Sequence, residues 1–266
     1  MARATSRGAA VSRYEALSTN IKEAFNKAFV QADGTVGNDS QTSYILAIRF
    51  DMLPADLRAA AAAKLKANIV RRGNFLTSGF IGTAYSLDAL AAAGYPETIY
   101  DLLLRTQYPS WGYMVVKGAT TIWERWNGDT GDVAMNSYNH YALGAVTGFV
   151  FRRIAGIDPL APGFKIFVVN PVLDARVKSG GGDYDSILGR LATDWSQEPN
   201  GDFSMKVTVA PNAKARVHLP TKPGAIIRES GKSIAGNTDV KLIATENAAT
   251  IVEVGSGIYH FTVSIT

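Results

Sequence analysis

A group of aromatic side chains surrounds one carboxylate in a long segment between positions 108 and 136. Glu124 lies between Trp123 and Trp126, and Trp111 and Tyr113 precede it in the same segment. The apolar face of an aromatic ring can pack on the C–H face of a sugar, and a carboxylate beside it can transfer protons during hydrolysis. The segment therefore predicts a carbohydrate site with Glu124 as its catalytic carboxylate, without identifying the sugar.

A structural interpretation of the same residues stays open. The tryptophans could belong to a core, with Glu124 paired to Arg125 or another cation. Asp129 and Asp132 could each supply a second carboxylate, because glycoside hydrolysis normally needs a pair. Their Gly-Asp-Thr-Gly-Asp context is, however, also typical of turns.

Two polar side chains follow the aromatic segment at the predicted start of a helix. Asn139 and His140 could donate hydrogen bonds to sugar hydroxyls, although a lone helical histidine is also compatible with a structural role. His218 and His260 fall in predicted strands, and no two histidines have the spacing of a zinc site. Since the chain also has no cysteine, we expect no metal and no cofactor.

Composition limits the classes of partner. The chain has 266 residues, of which 47% are hydrophobic and 19% charged, as in ordinary globular domains. Its net charge of +4 is spread along the chain without a basic stripe between aromatics, which argues against a nucleic-acid partner. No stretch approaches the roughly 18 apolar residues of a membrane span. No apolar segment follows the basic start, so we expect a cytoplasmic location.

The first half of the chain has the apolar period of helices. Residues 1–12 are predicted to form a disordered arm and residues 13–157 a helical domain. The predicted helices cover residues 14–32, 41–52, 54–69, 79–93, 96–106 and 138–154. Six helices joined as hairpins can form a small bundle or half of a twelve-helix barrel, and the period alone does not distinguish the two.

The second half alternates polar and apolar residues in short runs, which is typical of strands. Predicted strands cover residues 165–169, 191–195, 203–209, 215–219 and 257–263. Gly180-Gly181-Gly182 and Pro199-Asn200-Gly201 are predicted to be turns between strands. Seven to nine short strands predict an antiparallel β-sandwich over residues 158–266. The predicted fold class is thus a helical-hairpin domain followed by an all-β domain.

Several segments resemble those of bacterial α-L-rhamnosidases. The similarity spans about residues 14–264, with the motifs in the same order as in that family. The matching segments are Gln41–Tyr44, Leu76–Thr83, Tyr108–Tyr113 with Trp126–Gly128, Asn139–Gly144, Pro162–Lys165 and Pro211–Ala215.

The resemblance implies half of an (α/α)6 barrel followed by a β-sandwich, and inverting hydrolysis of terminal L-rhamnosides. Glu124 matches the general base, His140 an active-site polar contact, and the tryptophans at 111, 123 and 126 the walls of the sugar pocket. The general acid of the family lies in an acidic motif upstream of the residues present here. Phe75 stands where the family usually has histidine.

A half barrel would leave apolar helix faces uncovered, and large exposed apolar patches favour association. We therefore expect a homo-oligomer. Because the acid-bearing motif is not among these residues, a second hypothesis is a rhamnoside-binding remnant without catalysis. The two hypotheses differ in whether a bound rhamnoside is hydrolysed.

Overall fold

A computed structural model describes residues 1–130, 134, 137–246 and 248–264. The chain divides into two compact units, Met1–Val146 and Thr147–Thr266. The predicted fold class, helices followed by a β-sandwich, is confirmed. The grouping of contacts changes at Val146, whereas the sequence predicts a domain boundary at residue 157. This difference arises because the last helical turns pack with the strands.

The described helices of the first unit follow the predicted order, except that a short helix lies inside the segment 108–136, which the sequence predicts to be a loop. They are α1 (Gly8–Phe29), α2 (Gln41–Arg49), α3 (Arg58–Arg71), α4 (Phe80–Ala92), α5 (Pro96–Leu104), α6 (Trp111–Val116) and α7 (Tyr141–Gly144). Helix α2 packs against both α3 and α4, and its buried side chains include Tyr44 and Ile45. Leu65 of α3 and Leu90 of α4 are also fully buried, so these three helices form the core of this unit.

The disordered arm predicted for residues 1–12 differs from the structure. Helix α1 begins at Gly8, and Arg7 donates a backbone hydrogen bond to the carbonyl of Ala2. Ala9 and Ala10 have high intrinsic helix propensity, so the helix continues upstream of the apolar period that the sequence shows. None of the residues of α1 is buried.

The single helix predicted for residues 138–154 is interrupted. Helix α7 is followed by α8 (Val146–Phe149) and by a π-helical turn over Val150–Ala155. Gly144 and Gly148 lie in this stretch, and glycine inside a helix weakens it. Gly156 ends it with a φ of 91°, in the left-handed region that favours glycine. Among the described residues, no helix is long and apolar enough to cross a membrane.

The second unit contains two sheets. Its strands are β1 (Ile157–Pro159), β2 (Ile166–Val169), β3 (Ser179–Ser186), β4 (Gly189–Gln197), β5 (Phe203–Val209), β6 (Lys214–Pro220), β7 (Ile226–Glu229), β8 (Lys232–Ser233), β9 (Val240–Thr245), β10 (Ala249–Val254) and β11 (Gly257–Ser264). One sheet has the order β1-β2-β6-β10-β9 and the other β3-β4-β5-β11-β7-β8. Neighbouring strands are antiparallel, except that β2 and β6 run parallel.

Side chains from both sheets form one core. Phe167 and Val217 come from the first sheet, and Trp195, Met205 and Phe261 from the second. Buried and less buried residues alternate along β5, as expected when one face of a strand is covered. The Trp195 indole N–H also donates to the backbone carbonyl of Ile154 over 2.8 Å.

The turn predicted at Gly180-Gly181-Gly182 is wrong, because these residues lie inside β3 and pair with β4. A Cβ at Gly180 would lie 2.8 Å from the Trp195 ring. A Cβ at Gly181 would lie 2.5 Å from the carbonyl oxygen of Thr193. Glycine in a strand often marks such a close approach. The run therefore allows tight packing rather than a change of direction.

Candidate active site

Residues 108–136 are called the aromatic loop below. Residues 121–124 of this loop run beside residues 137–140, which follow it, and we call these two stretches together the loop ribbon. The Glu124 N–H donates to the carbonyl of Ser137 over 2.8 Å, and the His140 N–H to that of Ile122 over 2.9 Å. The Thr121 hydroxyl donates to the carbonyl of Tyr138. The candidate carboxylate thus lies on backbone that is fixed by hydrogen bonds.

The Glu124 side chain is half-buried and is held at one oxygen. The Ser137 N–H donates to its Oε2 over 2.8 Å. Together with the bond from the Glu124 N–H to the Ser137 carbonyl, this forms a reciprocal pair between the two residues. A hydrogen bond from a backbone N–H to a carboxylate is charge-assisted, so it holds the group in one orientation. An oriented carboxylate of this kind can act as a base.

The three tryptophans of the loop differ in exposure. Trp111 and Trp123 are buried, with 8% and 6% of their surface exposed, whereas Trp126 is half-buried. The Trp111 and Trp126 rings meet edge to face at 5.2 Å, and the Trp111 indole N–H donates to the Leu143 carbonyl over 2.9 Å. Trp123 packs in a core cluster with Met114 and Leu143. Trp126 is therefore the one of the three with most surface for a ligand.

Tyr113 and Asp129 form a polar cluster with Lys117. The Tyr113 hydroxyl lies 3.0 Å from both oxygens of Asp129, and the Lys117 ammonium lies 3.2 Å from Oδ2. Desolvation would raise the pKa of Asp129, but the hydrogen bonds from Tyr113 and Lys117 outweigh it and hold that pKa below its ordinary value. Asp129 is therefore an ionised partner of two side chains. Asp132 lies outside the described residues.

The ion pair at Asp129 leads to a prediction for Tyr113. Desolvation, and then the neighbouring carboxylate, raise the pKa of the Tyr113 hydroxyl above its ordinary value. Asp129→Asn removes the negative charge, so we expect this pKa to fall toward its ordinary value without reaching it, because desolvation remains. NMR titration of ring-labelled tyrosine measures the change. The exposed control Asp56→Asn should leave the Tyr113 pKa in place, and an unchanged value in Asp129→Asn would contradict the prediction.

Asn139 and His140 adjoin the loop ribbon. The His140 Nδ1 accepts a hydrogen bond from the Ala142 N–H over 3.2 Å and so caps α7. This bond requires the neutral ring to carry its proton on Nε2. The ring also lies 4.8 Å from that of Phe80 and 4.9 Å from that of Tyr141. The Asn139 side chain is exposed, and its backbone N–H donates to the Ser137 hydroxyl.

A cleft of about 430 Å³ lies beside Trp126. One wall is the segment Phe75–Ser78, and the other is formed by Tyr108, Pro109 and Trp126. The buried Gln41 holds the first wall from behind. Its side-chain N–H donates to the Phe75 carbonyl over 3.2 Å, and its side-chain oxygen accepts from the Thr77 N–H over 2.8 Å. Both ends of one amide thus fix the backbone of the wall.

The aromatic loop was indicated by its composition, whereas two of its supports were not. Ser137 acts through its backbone N–H, and because almost every residue type has this group, the sequence gives no signal of the contact. Gln41 lies 34 residues before Phe75 in the chain, and a single glutamine carries no signal of such a contact. The part of the chain that the structure describes contains no group of three or more side chains placed to hold a metal ion.

Two family models match this chain. The bacterial α-L-rhamnosidase six-hairpin glycosidase domain matches residues 1–154, and the bacterial α-L-rhamnosidase C-terminal domain matches residues 156–233. The α-L-rhamnosidase of Streptomyces avermitilis is 36% identical over 265 residues, which are 98% of this chain and 25% of that protein. An α-L-rhamnosidase of Formosa agariphila is 34% identical over 93% of this chain and 27% of its own length.

Solved structures give the same result. The α-L-rhamnosidase from Dictyoglumus thermophilum superposes with a TM-score of 0.90 and 30% identity, over 99% of this chain and 30% of that one. The Streptomyces avermitilis enzyme complexed with L-rhamnose has a TM-score of 0.88 and 35% identity, over 95% of this chain and 24% of that one. The chain therefore spans about a quarter of the length of these curated relatives. Because a six-hairpin domain model covers more than half of its residues, the chain belongs to the bacterial α-L-rhamnosidase family.

Proposed function

We propose that this chain carries the general-base part of an inverting α-L-rhamnosidase site, with Glu124 as the base. The observation that carries the proposal is the geometry of this carboxylate. It is half-buried in an aromatic loop, and a backbone N–H holds its Oε2. By the resemblance to the family, Glu124 also occupies the position of the general base. The names of the relatives supply the substrate class, a terminal L-rhamnoside.

In an inverting reaction the base removes a proton from a water molecule. The water oxygen then forms a bond to the anomeric carbon while the bond to the leaving-group oxygen breaks on the opposite face. An acid protonates that oxygen, and the two carboxyl groups stand roughly 6.5–9.5 Å apart. With Oε2 engaged by Ser137, we assign proton transfer to Oε1 of Glu124.

Asp129 is a poor candidate for the partner acid. A general acid must be protonated before it donates, and its pKa is usually raised for this purpose. The pKa of Asp129 is instead held low by its hydrogen bonds from Tyr113 and Lys117, which outweigh desolvation. We propose that the acid is a different carboxylate, as the resemblance to the family also implies.

The remaining site residues either contact the ligand or support those that do. Trp126 contacts the ligand directly, since its ring is half-buried and lines a cleft. Trp111 and Trp123 support it from within, and Tyr113 holds the loop through Asp129. Asn139 and His140 follow at the edge of the loop ribbon, where we propose that they bind sugar hydroxyls through their side chains.

A paired binding and product assay tests the proposal. Calorimetry with methyl α-L-rhamnoside measures binding, and chromatography of an aryl rhamnoside digest measures free rhamnose. We expect saturable binding together with rhamnose release from the aryl rhamnoside, because a phenolate is a good leaving group that departs with little help from an acid, and neither signal with the matching glucosides. Binding without release would favour the second hypothesis, a rhamnoside-binding remnant that lacks the acid. Absence of both signals would overturn the assignment to rhamnosides.

We also propose that the chain self-associates through α1. None of the residues of this helix is buried, and Tyr14, Leu17, Ile21 and Phe29 expose about half of their surface or more. Apolar patches of this kind commonly mark contact surfaces. Light scattering at micromolar concentration should therefore show a dimer or larger species, and Leu17→Glu with Ile21→Glu should shift it toward monomer. A monomer for the unmodified chain would contradict the proposal.

The cytoplasmic location stays a prediction.

A further inference from the structure

Gly128 lies against the ring of Trp123, which precedes it by five residues. It is buried, and a Cβ added to it would lie 2.7 Å from Cδ2 and Cε3 of that ring and 2.9 Å from its Cγ. Non-bonded carbon atoms pack at about 3.5–4.0 Å, so a larger residue fits only if the ring or the backbone moves. The φ of Gly128 is not in the left-handed region. Space, rather than backbone conformation, therefore requires glycine at this position.

Further side chains enclose the Trp123 ring. Trp123 is 6% exposed and packs in a cluster with Met114 and Leu143. The Tyr138 ring, which belongs to the other stretch of the loop ribbon, meets it edge to face at 6.1 Å and 84°. Inserting a methyl group into a packed site of this kind forces side chains off their rotamers and shifts the backbone. A side chain at position 128 would therefore displace either Trp123 or the turn that follows it.

The turn between Trp123 and Gly128 carries both side chains that we assign to direct contact with water or sugar. Glu124 is the proposed base, and Trp126 is the ring that lines the cleft. Both lie between Trp123 and Gly128 in the chain, so the contact of those two residues closes the turn at its ends. A shift of either end would change the distance between the carboxylate and the sugar.

Trp123 is also tied to the loop ribbon on both sides along the chain. The Ile122 carbonyl accepts from the His140 N–H over 2.9 Å, and the Glu124 N–H donates to the Ser137 carbonyl over 2.8 Å. The Ser137 N–H in turn donates to Oε2 of Glu124. A displaced Trp123 would pull on both backbone hydrogen bonds, and so it would change the contact that orients the carboxylate.

We propose that Gly128 is a positioning residue that acts on Glu124 through the Trp123 ring, an inference that rests on the rhamnoside function proposed above. Because Gly128 has no side chain, the turn can close on the ring, and the closed turn fixes the carboxylate. A misplacement of about 1 Å can slow a reaction about a hundred-fold. One methyl group at position 128 is therefore expected to impair the base.

Gly128→Ala in the whole chain tests the proposal. We expect kcat for rhamnose release from an aryl rhamnoside to fall about ten- to a hundred-fold. The amide proton of Ser137 gives a readout that does not depend on turnover. In the unmodified chain its chemical shift should follow the ionisation of Glu124 as the pH changes, because this N–H donates to the carboxylate. In Gly128→Ala we expect most of that pH dependence to be lost.

The matched control is Gly8→Ala, because a Cβ added at Gly8 has no atom within 4 Å. It should keep both the kcat and the Ser137 signal of the unmodified chain. Trp123→Leu provides a rescue, since a smaller side chain makes room for the methyl group of Gly128→Ala. With both substitutions, kcat should fall less than the product of the two separate effects, as for residues in contact.

The outcomes separate the positioning role from the proposed function. An unchanged kcat or an unchanged Ser137 signal in Gly128→Ala overturns the positioning role and leaves the rhamnoside function intact. Independent effects of Gly128→Ala and Trp123→Leu on kcat, or a Ser137 signal without pH dependence in the unmodified chain, overturn it as well. Loss of the signal in Gly128→Ala, without rhamnose release by the unmodified chain, supports the positioning of Glu124 and overturns the proposed function.

If circular dichroism shows that Gly128→Ala does not fold, Trp123→Leu alone carries the test. Removing the ring that Gly128 contacts should weaken the same Ser137 signal. An unchanged signal in that variant overturns the positioning role.

Discussion

Glu124→Gln should lower kcat for rhamnose release from an aryl rhamnoside by about a thousand-fold, within the usual contribution of a general base. A neutral amide cannot take a proton from water. The amide oxygen can still accept the hydrogen bond that Ser137 donates to Oε2 over 2.8 Å, so the loop ribbon and KM should change little. A loss confined to kcat would identify an interaction made in the transition state.

The control for this prediction is Glu23→Gln, which makes the same chemical change at an exposed position of α1. It should leave kcat and KM of the unmodified chain in place. Equal activity in Glu124→Gln and the unmodified chain would refute the assignment of the base. A rise in KM with unchanged kcat would instead give Glu124 a binding role.

Trp195→Ala should lower the free energy of unfolding of the second unit by about 3–5 kcal/mol, as for other large-to-small changes at buried aromatic sites. The ring is 1% exposed, packs closely over Gly180 and stacks at 6.3 Å from Phe203. Its removal would leave a cavity between the sheets. It would also leave the Ile154 carbonyl without the indole N–H that now binds it over 2.8 Å.

Urea unfolding followed by far-ultraviolet circular dichroism measures this loss without relying on tryptophan fluorescence. Ile258→Ala is the matched control, because this side chain lies on β11 of the same sheet and is 67% exposed. Its effect should stay within about 0.5 kcal/mol, as for most surface substitutions. A comparable effect of the two substitutions would show that Trp195 does not anchor the core.

Local patterns predicted the elements whose stability is local. The sequence predicts the fourth helix over residues 79–93, and it occupies Phe80–Ala92, because its apolar period and its flanking glycines lie within or next to the segment. The glycine run at 180–182 has the local pattern of a turn, but it lies in β3. Its purpose depends on Trp195, a partner on the neighbouring strand that no local pattern indicates.

The candidate site divides in the same way. Aromatic composition was sufficient to select the loop around Glu124, and the resemblance to a family added roles. The burial of Trp111 and Trp123 was one of two open interpretations of the sequence, because it depends on Leu143, which contacts both of them from outside the segment. The hydrogen bond to Oε2 of Glu124 could not be predicted, since any residue other than proline offers the same N–H that Ser137 donates.

The contact of Gln41 with the cleft wall has a chemical consequence. Its side-chain amide bonds to the backbone as a peptide group of a paired strand does. It offers a donor to the Phe75 carbonyl and an acceptor to the Thr77 N–H. Glutamate has nearly the same shape but, when ionised, only accepts hydrogen bonds. Deamidation of this one side chain would therefore set a carboxylate against the Phe75 carbonyl and remove the hydrogen bond between them. The wall of the cleft would then be held less firmly.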